Sequence, residues 1–120
     1  MSKKPKYMTA YIELEITDYD SFEKMVSEWS ATEEKCSGTV MFEWYISDCK
    51  TKGTLIETFA DEEGQAEHMK NIETYGETLM ACTNTQKLLY LGAVTEAVKE
   101  RVAAFGFSYQ TMAGGFRRLP

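Results

Sequence analysis

The chain has 120 residues, of which 43% are hydrophobic, and a net charge of −6 at pH 7. This length is enough for a single domain, residues 1–120, with one hydrophobic core. The acidic balance argues against a nucleic-acid partner, which requires clustered Lys and Arg, and no apolar run is long enough to predict a membrane segment. Three widely spaced cysteines indicate neither a disulfide framework nor a zinc site. With no signal-peptide core after Met1, we expect a reduced, cytoplasmic protein.

Patterns along the chain predict four strands and three helices. Strands are indicated by alternating or β-branched apolar residues, and helices by a capping residue followed by apolar residues at helical spacing. In chain order we predict a strand at 10–16, a helix from Asp20 to about Cys36, strands at 40–47 and 55–60, a helix from Asp61 with a break near Gly76, a strand at 87–91 and a helix from Thr95. Residues 1–7 are expected to form a flexible tail, and residues 106–120 are left unplaced apart from a short strand near 108–111.

The order β-α-β-β-α-β followed by a helix is that of the ferredoxin-like fold. We therefore predict an α+β domain in which both main helices cover one face of a four-stranded antiparallel sheet.

The predicted hairpin carries apolar residues on both faces. If it is symmetric about Lys50, Trp44 lies on the face covered by the helices, whereas Glu57 and Phe59 lie on the opposite face with Tyr45. Strands that are apolar on both faces are normally covered on both faces. A homodimer in which a second subunit covers the outer face is the favoured interpretation; the alternative is that the C-terminal tail folds over it.

Three carboxylates, Glu13, Glu43 and Glu57, fall on that predicted outer face and would form a row across the sheet. We expect them to pair with basic side chains, for example Arg117 and Arg118 of the tail or of the partner. Grouped carboxylates can also bind a metal ion or share a proton, but we predict no metal site.

Three short segments carry a resemblance to a known family. Phe-Glu-Trp-Tyr at 42–45, Glu-Thr-Phe-Ala-Asp at 57–61 and Ala-Glu-His at 66–68 resemble the antibiotic-biosynthesis-monooxygenase-like family of the dimeric α+β barrel superfamily. The resemblance covers roughly residues 8–92 and implies the fold and a dimer. It does not imply one reaction, because the group spans several chemistries.

The resemblance to the oxygenases of this group implies a cavity between sheet and helices, in which a polycyclic phenol or quinol reacts with dioxygen without metal or flavin. It implies that the protein deprotonates and orients the substrate and excludes water. His68, the only histidine, is the candidate catalytic proton acceptor. The candidate substrate-binding residues are Trp29, Phe42, Trp44 and Tyr75. Each has a structural alternative, because histidine can pack at a helix–sheet junction and aromatic residues at these spacings form cores.

The resemblance thus implies a cofactor-independent monooxygenase, or a related enzyme, acting on a small aromatic or polycyclic molecule. The alternative is a non-catalytic dimer that binds a small molecule or is purely structural. A haem-degrading branch shares the fold, but its haem-ligating histidine lies further along the helix, and residues 71–82 contain no histidine.

Overall fold

A computed structural model describes residues 7–118. Within them no helix is both long and apolar enough to cross a membrane. The predicted tail, residues 1–7, lies outside the described residues except for Tyr7. The elements are β1 (Met8–Ile16), α1 (Tyr19–Glu33), β2 (Thr39–Ile46), β3 (Lys52–Phe59), α2 (Glu62–Cys82), β4 (Thr83–Gly92), α3 (Glu96–Arg101), a 3-10 turn (Ala103–Phe105) and β5 (Ser108–Gln110).

The strands form one sheet in the order β2-β3-β1-β4-β5. Neighbouring strands are antiparallel, except that β5 runs parallel to β4. The predicted α+β order of elements is confirmed. The prediction of a four-stranded antiparallel sheet was wrong by one strand, because the short strand near the C-terminus extends the sheet beside β4.

The two long helices begin at capping aspartates. The Asp18 carboxylate accepts a hydrogen bond from the Ser21 amide at 3.2 Å, and Asp61 accepts one from the Gly64 amide at 2.8 Å. The cap of α1 is therefore two residues earlier than predicted, and α1 ends at Glu33 instead of near Cys36. The break predicted near Gly76 is absent, since an interior glycine costs a helix only about 1 kcal/mol and α2 continues through it.

The first turn of α2 meets the segment before β2 at a pair of glycines. A Cβ on Gly38 would overlap the Cα of Gly64, and a Cβ on Gly64 would lie 2.5 Å from the Gly38 carbonyl oxygen. That carbonyl oxygen also accepts a hydrogen bond from the Ala60 amide at 2.9 Å. A side chain at either glycine would push the backbones apart, so this contact fixes the start of α2 against the β2–β3 hairpin.

The helices pack on one face of the sheet over two apolar clusters. One cluster lies beneath α1 and contains Leu14, Ile16, Phe22, Met25, Trp29 and Cys82. The other lies towards α3 and contains Met8, Ala10, Phe59, Tyr90, Val98 and Val102. Among the apolar side chains that follow Thr95, Val98 and Val102 are buried, whereas Phe105 is 45% exposed because α3 ends before it.

The β2–β3 hairpin is shifted by one residue from its predicted register. Phe42, not Glu43, lies opposite Glu57, and Trp44 lies opposite Leu55. The hairpin closes through a hydrogen bond from the Ser47 amide to the Lys52 carbonyl, so its centre falls between Cys49 and Lys50 instead of on Lys50. A shift of one residue moves the side chains of a strand to the other face. Leu55, Glu57 and Phe59 therefore face the helices and are buried.

The predicted carboxylate row is consequently wrong. Glu57 lies on the helix-covered face, while Glu13 and Glu43 stay on the outer face. The Glu13 carboxylate accepts a hydrogen bond from Tyr11 at 2.8 Å, and the Glu43 carboxylate accepts one from Tyr45 at 2.7 Å. Across residues 7–118, no group of three or more His, Cys, Asp or Glu side chains is arranged to hold a metal ion.

Candidate functional site

The most deeply buried side of α2 is polar. Gln65, His68 and Asn71 recur at three-residue spacing and are respectively 0%, 1% and 8% exposed. The apolar side chains at helical spacing on α2, Ala66, Met69 and Ile72, are only half-buried. Buried polar groups are normally hydrogen-bonded, and these find partners on α1, β4 and the turn before β2.

His68 lies between two buried carboxylates. Its Nδ1 atom is 2.8 Å from Oε1 of Glu33 on α1, and its Nε2 atom is 3.3 Å from Oε2 of Glu57 on β3. Both carboxylate side chains are at most 4% exposed. The three residues, which we call the Glu33–His68–Glu57 cluster, connect α1, α2 and the sheet.

The two carboxylates differ in the number of hydrogen bonds that they accept. Oε1 of Glu33 also accepts hydrogen bonds from Trp29 Nε1 at 3.1 Å and Asn71 Nδ2 at 3.0 Å, and its Oε2 accepts one from Thr39 Oγ1 at 2.6 Å. Glu57 Oε2, in contrast, has no partner in hydrogen-bond geometry among residues 7–118. Its contact with His68 is an ion pair, and the oxygen can still accept a hydrogen bond.

The contacts within the cluster set the protonation of His68 and Glu33. Burial lowers the pKa of His68, but the charge of Glu57 and the hydrogen bond to Glu33 outweigh burial and raise that pKa from 6.5 to about 10. Burial raises the pKa of Glu33, whereas its bonds to His68, Thr39 and Asn71 lower it to about 2. At neutral pH His68 is therefore an imidazolium. An imidazolium is a proton donor, so this geometry favours donation or charge stabilisation over the proton-acceptor role expected from the sequence.

The structure brings the four predicted substrate-binding residues together. The Trp29 ring stacks on Tyr75 at 5.3 Å and meets Trp44 edge-on at 5.6 Å and Phe42 at 5.8 Å. It also stacks on the His68 ring at 6.2 Å. These aromatic side chains form a continuous group that covers one side of the cluster.

The polar atoms of this aromatic group differ in their hydrogen bonding. The Tyr75 hydroxyl lies 2.7 Å from Thr32 Oγ1 and is thereby engaged with α1. Trp44 Nε1 is buried and has no hydrogen-bond partner within the described part of the chain. Buried donors without a partner are uncommon in proteins, so Trp44 offers a donor to a bound molecule or water.

An open cleft of about 390 Å³ lies between α1 and the edge strand β2. Its lining includes Glu33, Thr39 and Phe42, which connect it to the cluster and to the aromatic group. Because Glu33 is only 1% exposed, its side chain lies at the bottom of the cleft.

Sequence reasoning identified His68 and the aromatic residues but missed Glu33 and Asn71, and placed Glu57 on the wrong face. Glu33 had a readable signal, since it follows Trp29 by four residues on the buried side of α1. A carboxylate within an apolar helical stripe requires a buried partner. Asn71 follows His68 by three residues and reaches the same Glu33 oxygen.

A second buried polar network lies towards α3. Gln65 Nε2 donates to the Tyr90 hydroxyl at 3.1 Å, and Arg101 Nη1 donates to Gln65 Oε1 at 2.6 Å. This network links α3 to the helix that carries His68, so the C-terminal part of the chain helps to hold α2 in place.

No known family model and no curated protein sequence matches the chain, but solved structures do. MupZ from Pseudomonas fluorescens matches with a TM-score of 0.86 at 15% identity, over 98% of this chain and 94% of MupZ. SnoaB, a cofactor-independent oxygenase from Streptomyces nogalater, matches with a TM-score of 0.64 at 13% identity, over 75% of this chain and 95% of SnoaB. A provisionally assigned antibiotic biosynthesis monooxygenase from Nitrosomonas europaea matches with a TM-score of 0.65 at 13% identity, over 80% of this chain and 98% of that protein. The resemblance to antibiotic-biosynthesis-monooxygenase-like proteins is thus confirmed as a shared fold.

Proposed function

We propose that this protein is a cofactor-independent monooxygenase, or a related enzyme, that acts on a small aromatic or polycyclic molecule. The observation that carries the proposal is the buried Glu33–His68–Glu57 cluster beside an aromatic group. Burying charged groups costs more free energy than burying apolar groups of the same shape. Strongly shifted pKa values are concentrated at functional sites. That SnoaB shares the fold adds support.

In the proposed reaction, a phenol or quinol enters through the cleft beside β2 and lies against Trp29, Phe42 and Trp44. Glu57 Oε2, which has no hydrogen-bond partner among the described residues, takes the proton of the substrate hydroxyl. The His68 imidazolium stabilises the negative charge that develops as electrons pass from the substrate to dioxygen. For a simple phenol the balance is phenol plus dioxygen to quinone plus water, so the substrate supplies all the electrons.

Oxygen uptake tests this proposal directly. Polycyclic phenols and quinols are offered to the protein in an oxygen-electrode cell, with product analysis by mass spectrometry. We expect uptake coupled to quinone formation, and a loss of about a hundredfold or more in Glu57→Gln. Glu63→Gln, at an exposed position in the first turn of α2, is the matched control and should retain full activity. Uptake that is unchanged in Glu57→Gln contradicts the assignment of the base.

The second candidate is a non-catalytic dimer that binds a small molecule or is purely structural. It is favoured by the mutual packing of the aromatic rings and by the engagement of the Tyr75 hydroxyl with Thr32. Binding of a phenol without oxygen uptake, measured by calorimetry under the same conditions, supports this candidate against the enzyme.

We further propose that the protein is a homodimer. Side chains on the outer face of the sheet include Tyr45, which is 52% exposed, and Leu91, which is 36% exposed. Exposed apolar sheet faces of this kind usually mark an interface. Sedimentation velocity at micromolar concentration tests the proposal, and a stable monomer refutes it.

A further inference from the structure

Tyr90 and Glu57 lie in one row of the sheet, on the face that the helices cover. Ala10 of β1 pairs with Glu57 on β3 and with Tyr90 on β4, and all three residues are buried. Neighbouring strands are about 4.8 Å apart, so the Cα atoms of Glu57 and Tyr90 are separated by about 10 Å. The side chain of Ala10 between them is a single methyl group, so the two longer side chains can approach each other above it.

Helix α2 contacts both ends of this row. His68 Nε2 is 3.3 Å from Glu57 Oε2, and Gln65 Nε2 is 3.1 Å from the Tyr90 hydroxyl. Gln65 precedes His68 by three residues, and side chains at this spacing lie about 5 to 6 Å apart on one face of a helix. We therefore expect a similar separation between their two partners on the sheet. One water molecule spans that separation with two hydrogen bonds of about 2.8 Å each.

Arg101 fixes the direction of the hydrogen bonds around Tyr90. Its Nη1 atom donates to Gln65 Oε1 at 2.6 Å. Because a guanidinium has donors only, the amide oxygen of Gln65 must face Arg101, and the amide nitrogen must face Tyr90. The Tyr90 oxygen thus accepts a hydrogen bond from Gln65. A tyrosine hydroxyl carries one proton, and here that proton is directed away from Gln65.

Glu57 is an acceptor that matches this proton. Its Oε2 atom is buried and has no hydrogen-bond partner among residues 7–118, and buried oxygens without a partner are uncommon. Burial and the negative charge of Glu57 raise the pKa of the Tyr90 hydroxyl, so Tyr90 keeps its proton at neutral pH. A protonated hydroxyl and a carboxylate oxygen that lacks a partner are therefore present in the same buried row, where leaving either one without a hydrogen bond is costly.

We infer that Tyr90 is a positioning residue for Glu57: its hydroxyl donates, through one bound water molecule, to Glu57 Oε2. Arg101 sets the direction of this hydrogen bond through Gln65, and the bond holds the Glu57 carboxylate towards His68. A carboxylate oxygen accepts two hydrogen bonds, so Oε2 can hold this water and still receive a substrate proton. The catalytic value of this positioning rests on the proposed function, in which Glu57 is the base, whereas the hydrogen bond itself does not.

The titration of His68 tests the hydrogen bond without any substrate. The charge of Glu57 makes the largest contribution that raises the pKa of His68, and a hydrogen bond from Tyr90 spreads part of that charge. Tyr90→Phe removes the donor, so His68 should hold its proton more tightly and its pKa should rise by about 0.5 or more. NMR of the single histidine measures this pKa. Tyr109→Phe, on β5 beside Tyr90, is the matched control and should leave the pKa of His68 unchanged.

The direction of the change separates positioning from a purely structural role of Tyr90. If Tyr90→Phe only loosened the site, the contacts of His68 with both carboxylates would weaken and its pKa would fall towards the ordinary value of 6.5. A pKa that rises supports the inference. A pKa that is unchanged or falls overturns it.

A double-mutant cycle tests whether Arg101 acts through Tyr90. Arg101→Met, at an exposed position, should raise the pKa of His68, because the Gln65 amide can then turn and accept the Tyr90 proton. In the Tyr90→Phe background the same substitution should have no further effect. Lys99→Met removes the same charge from α3 and should leave the pKa unchanged. An equal rise for Arg101→Met in both backgrounds means that Arg101 acts on His68 by its charge alone, and overturns the role assigned to Arg101.

Oxygen uptake with a phenol or quinol provides the catalytic readout. Tyr90→Phe should lower kcat about tenfold and leave KM nearly unchanged, because it misplaces the base without touching the residues that bind the substrate. If the wild type is active and Tyr90→Phe retains the full kcat, the positioning role fails while the proposed function stands. If the wild type takes up no oxygen, the proposed function fails, and the titration of His68 still decides whether the hydrogen bond exists.

Discussion

Raising the pH from about 7 to about 9 should destabilise the fold through His68. The pKa of His68 is raised from 6.5 to about 10 in the folded protein, so the stabilisation is fully present below about pH 6.5 and is lost as the pH rises through about 10. With these two values, the free energy of unfolding falls by about 2 to 3 kcal/mol between pH 7 and pH 9. That is a large part of the stability of an ordinary domain.

The chain is well suited to this measurement because His68 is its only histidine. In tag-free protein, the imidazole signals in a ¹³C or ¹⁵N NMR spectrum report its protonation without ambiguity. Urea unfolding at the same pH values gives the free energy of unfolding.

Among the described residues, two thiols also bear on this pH range: burial raises the pKa of the Cys82 thiol, which acts with the same sign as His68, whereas Cys49 acts with the opposite sign. Hydrogen bonds from Ser47 and Thr51 lower the pKa of the exposed Cys49 thiol to about 7, which favours the folded state as the pH rises. Cys49→Ser is therefore the background for the experiment. A His68 ring that is neutral at pH 8, or a stability that does not fall between pH 7 and pH 9 in this background, refutes the reasoning.

The remaining predictions concern single contacts. Glu57→Gln should lower the pKa of His68, because the charge of Glu57 makes the largest contribution that raises it; an unchanged NMR titration contradicts this. Gly64→Ala should destabilise the fold by about 1 to 3 kcal/mol through overpacking, whereas Gly76→Ala in the same helix, where a Cβ would meet the Ile72 side chain at an ordinary contact distance of 3.5 Å, should stabilise it by up to about 1 kcal/mol. Equal unfolding midpoints for the two glycine variants would argue against the close approach. Asp61→Ala should cost about 1 kcal/mol in urea unfolding, because α2 loses its capping hydrogen bond.

Local patterns predicted most of the fold. Alternation of polar and apolar residues placed β1, and Asp61 marked the start of α2 with its capping bond to Gly64. The order of elements then indicated the ferredoxin-like arrangement. Parity along β2 placed Phe42 and Trp44 beneath the helices, where they pack against Trp29. These features depend on residues close in sequence, whose periodicity is set by the helix and strand geometry itself.

The chemistry of the site was decided by the tertiary structure. The pairing of β2 with β3 differs by one residue from the predicted pairing. Glu57 therefore lies beside His68 and not on the predicted outer face, because strand side chains alternate between faces. Glu33 meets His68 across a separation of 35 residues in the sequence, and no local pattern encodes such a distance. The proton on His68 follows from burial together with two carboxylates from different elements. The sequence by itself determined that there is a histidine on the second helix of this fold, whereas only the packing of that helix against α1 and β3 determined that the histidine is a buried cation.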